Sequence, residues 1–235
     1  MKHFAPFVFL AASATASAQC PAEGTVRYQQ RTYPVVVIGG QCWFAENLSA
    51  AAFSNGDALP VVDDADLWNA GWPANSPAVV RAGRPRRAPE GSTVHGWYYN
   101  GHVVVDERGI CPAGWHVPTH EDWMTLEIAL GCGEAEAAKF GFRGGNQGTQ
   151  LRAHLPEYEE WSGSNAFGWN ALPSGFRTSE GADSNFGDSA YFWSSTRRSS
   201  RSLYIRGLTG HRTDAYSSEM DLATGCSIRC LRDAP

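Results

Sequence analysis

Residues 109–123 read GICPAGWHVPTHEDW and set a cysteine, two histidines, two carboxylates and two tryptophans side by side. Residue types like these serve two chemistries, a metal centre or a thiol nucleophile with a histidine base. His116 and His120 have the i, i+4 spacing of a zinc pair, which works when both lie on one helix face. Pro118 stands between them and imposes an extended approach to the helix instead. No third histidine or carboxylate follows at a recognisable ligand spacing, so no metal site is expected. Cys111 with His116 would supply nucleophile and base, but in an oxidising compartment a cysteine is more simply half of a disulfide.

The two carboxylates have a local explanation. Thr119 followed three residues later by Asp122 matches a capping box, and Glu121 and Asp122 suit the positive end of a helix dipole. Trp123, Leu126 and Leu130 then share one apolar helix face, which Gly131 and Gly133 can end. The stretch reads as scaffolding.

Other reactive-looking sets are incomplete. Glu157, Glu159 and Glu160 crowd Tyr158 and Trp161, whereas retaining glycosidases need two carboxyls about 5 Å apart across a cleft. The serines of WSSTRRSSRS lack a G-x-S-x-G elbow. Trp193 is expected in the core, with Ser194, Ser195 and Thr196 bonding to backbone at a strand end. RGGNQG lacks the strand-loop-helix context and the following lysine of a nucleotide loop. No catalytic set and no cofactor are expected.

The elements that must carry these residues belong to an exported chain. MKHFAPFVFLAASATASAQC has the order of a secretory signal peptide, with Lys2, an apolar run over residues 4–12 and small residues at Ala16-Ser17-Ala18. Gln19 rather than a small residue precedes Cys20, which speaks against a lipoprotein anchor. No stretch approaches the ~20 apolar residues of a transmembrane segment. Residues 1–18 carry one formal charge, Lys2, so the mature chain keeps 18 of 19 basic residues against 24 acidic ones, a net charge of −6. That argues against general nucleic-acid or anionic-membrane binding. With 25 glycines, nine tryptophans and 18% charged residues, the composition suits one loop-rich domain with bulky aromatics in its core.

PVVVIGGQCWF predicts two strands joined by Gly39-Gly40. Residues 50–93, with the tract RAGRPRRAPEG, predict a long surface excursion with one helical turn over residues 64–69. TVHGWYYNGHVVV predicts a hairpin around Asn100-Gly101. FGFRGGNQGTQLRA predicts a glycine-rich loop running into a small ordered element, and residues 158–187 are loop-dominated. AYFWSST, SLYIRGL and CSIRCLR predict closing strands.

Six cysteines, Cys20, Cys42, Cys111, Cys132, Cys226 and Cys230, all follow the signal peptide and allow 15 disulfide connectivities. In an alternating CSIRC strand, Cys226 and Cys230 lie roughly 13 Å apart, too far for one bond. If both are paired, their partners differ.

Several blocks in order then resemble the Fibrobacter succinogenes major paralogous domain, a family of exported bacterial proteins. They are VVVIGGQCWFAENL, NGDALPVVDDADLW, HGWYYN, CPAGWHVPTHEDW, GTQL, FGWNALPSGFR, YFWSST and SIRCLRD, spread over about residues 35–233. The resemblance implies residues 19–34 as an N-terminal extension and 35–235 as the domain. It implies an α+β, C-type-lectin-like fold, related to the formylglycine-generating enzyme type: small helices packed on a twisted, mostly antiparallel sheet, loop-rich and disulfide-stapled. It implies a Cys111–Cys230 pair, leaving Cys20–Cys42 and Cys132–Cys226 as the expected additions. The stretch 109–123 becomes a strand-to-helix joint stapled to the C-terminal strand. Calcium-dependent lectins carry a Trp-Asn-Asp triplet, but GWNAL has alanine at the acid, so only Asp183 and Asp188 remain for a weaker ion site.

The expected function is a non-enzymatic exported binding or surface module for a glycan or cell-surface protein. Alternatives are an enzyme of the formylglycine-generating or hydrolytic type and a purely structural envelope component. In a lectin-like fold the ligand surface is the long-loop region, here about residues 143–188. Phe167, Trp169 and Leu172 belong to the family pattern and are expected in the core. Tyr158 and Trp161, in polar surroundings with Asn146 and Gln147 nearby, are the expected ligand platform.

Overall fold

The computed structural model describes residues 20–69, 76–82, 96–156 and 160–233. The expected signal peptide, the RPRR tract and Tyr158 lie outside them. The chain begins with strands β1 (Thr25–Tyr28), β2 (Arg31–Ile38) and β3 (Gln41–Phe44). A one-turn helix α1 (Ala65–Asn69) precedes β4 (Val79–Arg81) and β5 (Trp97–Asn100), and helices α2 (Gly101–Val104), α3 (His120–Ala129) and α4 (Glu134–Ala137) follow. Then come β6 (Gly141–Arg143), α5 (Gln147–Leu151), β7 (Phe176–Arg177) and β8 (Asp183–Ser184). Strands β9 (Ser189–Arg197), β10 (Ser202–Thr209), β11 (Ala215–Asp221), β12 (Gly225–Cys226) and β13 (Leu231–Asp233) complete the order.

Among the described residues three sheets result, ordered β1-β2-β3-β13, β6-β11-β10-β9 and β4-β5-β12-β7-β8, and neighbouring strands within each run antiparallel. The fold is α+β, sheet-rich with few and short helices, and no described helix is long and apolar enough to cross a membrane. Gly39 and Gly40 close the β2–β3 hairpin at positive φ, where a side chain would be strained. A Cβ on Gly39 would also lie 2.6 Å from Ala129 Cβ, so the same turn lets α3 approach the sheet.

The sheet β6-β11-β10-β9 is central because its strands β9 and β10 carry core clusters on both faces. In β9, Phe192 joins a cluster with Trp43, Trp123, Trp161, Trp169 and Leu208, whereas Trp193 joins another with Tyr99, Leu203, Ile205, Cys226 and Ile228. Successive strand side chains point to opposite faces, so a strand apolar at consecutive positions is one buried twice. Two ionic devices sit within this packing. Glu127 on α3 accepts from Arg143 at 2.7 and 2.8 Å and from Arg206 at 2.9 Å, all three being buried. Arg229 is buried and, among the described residues, makes no ion pair; it donates instead to Asn47 Oδ1 and to the carbonyls of Phe44, Trp169 and Asn170. Its guanidinium lies 3.9 Å from the Trp169 ring centroid, and burial depresses its pKa to about 9.

Helix α3 starts as its sequence dictates. Asp122 N donates to Thr119 Oγ1 at 3.1 Å and Thr119 N donates to Asp122 Oδ2 at 2.8 Å, a complete capping box. Elsewhere local reading is corrected. Asn100-Gly101 is no hairpin turn: the Asn100 side chain accepts from Val103 N, caps α2 and ends β5. The expected CSIRC strand breaks after Cys226, although Cys226, Ile228 and Cys230 are all fully buried. Phe167, expected in the core, is 41% exposed, while Trp169 is fully buried.

Cys20 is bonded to Cys42 and Cys111 to Cys230, but the expected third pair does not form. Cys132 follows α3 and feels the charges of Glu127 and Arg143, whereas Cys226 lies in the cluster that covers the opposite face of the central sheet. Both thiols are free and buried.

Candidate functional site

The long-loop platform expected from sequence is not assembled. Trp161 is fully buried, packs in the cluster of Trp169 and donates from Nε1 to Ala171 O at 3.0 Å. Gln147 is 1% exposed, its Oε1 accepting from Gly145 N and its Nε2 directed at Leu130 O. Asn146 is exposed and accepts from Gln150 Nε2, a bond within its own helical turn. The bland role of these residues is fold-building: the parallel bridge Arg152↔Ala171 pulls the loop onto the core and Trp161 fills the space beneath it. Asp183, one of two acids left for an ion, pairs with Arg177 at 3.0 Å, and Asp188 pairs with His211 at 2.8 Å.

Residues 109–117 with Thr119 line an open cleft of about 470 Å³, within the range of small-ligand sites. Ile110, Pro112, Trp115 and Val117 give it apolar walls, and Arg108, His116, Thr119 and Ser195 give it polar ones. The Cys111–Cys230 bond fixes one wall to the C-terminal segment. Arg108 is tied to Asp106 and Asp57 and lies 3.9 Å from the Phe53 ring centroid. Ser195 Oγ donates to Val117 O at 3.0 Å, so its proton is directed at a carbonyl rather than a base. His116 Nε2 stands 3.1 Å from Asp122 Oδ2, and this bond raises the imidazole pKa. Burial works against ionisation of Asp122, but its bonds to His116 and Thr119 prevail and hold its pKa below the usual carboxylate value. His120, four residues on, does not join His116. Its pKa is pushed down to about 4 by burial and by Arg206, whose Nη2 lies 3.2 Å from its Nδ1.

Neither free thiol is placed for chemistry. Burial raises the Cys226 pKa well above that of an ordinary thiol, and burial with nearby Glu127 raises that of Cys132. A buried thiol with a raised pKa supplies little thiolate.

A second feature depends on long-range strand register. Register puts Phe142, Tyr216, Gly207 and Tyr191 directly opposite one another across β6, β11, β10 and β9, hence on one face of the sheet. Phe142 and Tyr216 ring centroids are 4.7 Å apart, and Phe176 meets Tyr191 at 5.0 Å. A Cβ on Gly207 would lie 3.2 Å from atoms of both Tyr191 and Tyr216, so the absent side chain lets the two rings lean over the strand between them. Phe142 is 43% exposed, and Tyr216, Tyr191 and Phe176 are half-buried, resting on the core. Polar groups flank the row. Arg212, held by Asp214 at 2.8 Å, lies 4.2 Å from the Phe142 ring centroid, and Asn185 Nδ2 donates to Tyr191 Oη at 3.1 Å. From Phe142 to Tyr191 the row spans three interstrand steps, roughly 14 Å. The only local signal for it was alternation in the strands; the pairing register that lines the rings up is long-range.

The chain matches the family model described as the Fibrobacter succinogenes major domain over residues 36–232. No curated protein and no solved structure matches it.

Proposed function

The chain belongs to the Fibrobacter succinogenes major domain family, and from that premise we propose that it is an exported, non-enzymatic binding module that holds a glycan on the aromatic row of its central sheet. The observation that carries this reading is the alignment of Phe142, Tyr216 and Tyr191, with Phe176 at its end, on either side of Gly207. Half-buried aromatic rings offer rigid apolar faces for the C–H faces of pyranose rings at low entropic cost. Arg212, Asp214 and Asn185 supply the donors and acceptors that sugar hydroxyls require. Two disulfides suit an oxidising destination after export, periplasmic, surface or extracellular. A C-type-lectin-like superfold is part of the same proposal, supported by the α+β make-up, though the binding surface is moved from the long loops to the sheet.

The reading without catalysis is favoured by the direction of the Ser195 proton and by two inert thiols. The test is affinity electrophoresis of the mature protein through gels cast with soluble polysaccharides, with and without calcium. Retardation by at least one polysaccharide, independent of calcium and lost in Tyr191→Ala/Tyr216→Ala, is expected. Equal retardation of the folded double variant removes the row from the site.

A further inference from the structure

We propose that His116, Asp122 and Asp233 form a binding site for one divalent cation of the zinc class, with its free coordination positions turned to the cleft. The site is separate from the aromatic row and stands or falls independently of it. Sequence spacing pointed only to His116 and His120; the structure instead groups His116 with Asp122, six residues on, and with Asp233 from the far end of the sequence. His116 and Leu231 exchange backbone hydrogen bonds at 2.8 and 2.9 Å, and the Cys111–Cys230 bond reinforces the join, which carries Asp233 to the N-terminal end of α3. One potential ligand atom from each of the three residues then lies within 4.8 Å of the others.

The His116–Asp122 spacing suits a shared ion, and the exposed Asp233 carboxylate, within 4.8 Å of both, has to close on it. His116 Nε2 and Asp122 Oδ2 are 3.1 Å apart. Two donors each about 2.1 Å from one zinc ion lie roughly 3.0–3.4 Å apart at coordination angles between right-angled and tetrahedral. The Asp122 carboxylate is already oriented by Thr119, as a ligand should be by its supporting bonds. Asp233 adds an exposed carboxylate that has no hydrogen bond or ion pair among the described residues, so the helix cap does not account for it. Two carboxylates balance a divalent charge. One imidazole with two carboxylates is a borderline nitrogen and oxygen set, which favours zinc-class ions over calcium with its all-oxygen shells. The His116 side chain is 40% exposed, and both it and Thr119 line the cleft, leaving room for water or a ligand group at the ion.

Chelator-treated mature protein titrated with zinc chloride in a calorimeter should bind one equivalent. Asp233→Asn, an exposed isosteric change that leaves the cap intact, should weaken binding at least tenfold without altering melting of the metal-free protein, and His116→Ala should weaken binding at least as much. Asp66→Asn, an exposed acid on α1, should leave affinity unchanged. With cobalt(II) as probe, the visible spectrum of the wild type should differ from that of Asp233→Asn, because an inner-sphere ligand is lost. Absence of saturable zinc binding, or equal affinity and equal cobalt spectra in wild type and Asp233→Asn, overturns the site.

Discussion

Two aromatic regions of this protein invert their sequence surroundings. Trp161 stands among glutamates, serine and asparagine, yet it is fully buried beside Trp169. Phe142, Tyr191 and Tyr216 lie in strands that feed the core, yet they emerge as a row on the sheet. Beside Trp161, Glu160 turns outward and Ser162 Oγ accepts from Leu155 N, while the indole reaches inward to Ala171 O. Along the row, a glycine on the middle strand gives the flanking rings room that any larger residue would take. Local polarity therefore says little about the exposure of one ring; strand register and the neighbour opposite say more. The difference predicts two kinds of variant. Frame variants change melting, and row variants change binding at nearly constant melting.

The largest effect belongs to the frame. Trp161→Ala should cost roughly 3–5 kcal/mol, comparable with Trp169→Ala, because both leave a cavity that surrounding side chains fill poorly. Denaturant unfolding of the two variants beside Phe142→Ala checks the contrast, since Phe142 is partly solvated already. A small loss for Trp161→Ala would restore it as a surface residue and break the comparison. Next comes the Cys111–Cys230 staple, whose loop is long; Cys111→Ser/Cys230→Ser should cost about 2–4 kcal/mol. Thiol titration accompanies it. Native protein should show no reactive thiol and unfolded, non-reduced protein two, from Cys132 and Cys226. A third pairing would leave none in either state. Thr119→Ala follows at about 1 kcal/mol, the usual worth of an N-cap, with polysaccharide binding unaltered.

That ordering also marks what could be read beforehand. The cap was legible because Thr119 and Asp122 are three residues apart and satisfy each other. The strands β9 and β10 were legible from their apolar runs, and α1 from its place in a turn-rich tract. Asn100-Gly101 misled because the Asn100 side chain can serve a helix as readily as a turn, and the bonds that hold it, to Ser76 O and Ala78 N beside Gly101 N to Leu222 O, come from distant residues. Family resemblance, rather than geometry, joined Cys111 to Cys230. It had no counterpart for Cys132 and Cys226, which end on opposite sides of the central sheet. The candidate sites were the least legible part. Asp233 reaches His116 through a backbone bridge between distant segments, and the aromatic row exists only once three strand pairings are fixed.

The smallest expected change in stability is also the sharpest test of the row. Gly207 sits on the central strand beneath Tyr191 and Tyr216, and an added methyl would meet ring atoms of both at 3.2 Å. Gly207→Ala gains from a strand residue less free when unfolded, and loses from crowding that the two partly exposed rings can relieve by tilting outward. The net change in unfolding free energy should stay within about 0.5 kcal/mol. Tilting, however, opens the gap over β10 and breaks the continuity on which stacked sugars would depend. Affinity for a polysaccharide that retards the wild type should drop about tenfold, equivalent to about 1.4 kcal/mol, more than the change in stability. Phe142→Ala, at the rim, should cost less affinity than Gly207→Ala. A Gly207→Ala protein that binds as well as wild type would mean that the rings act singly, and the row would cease to be a unit.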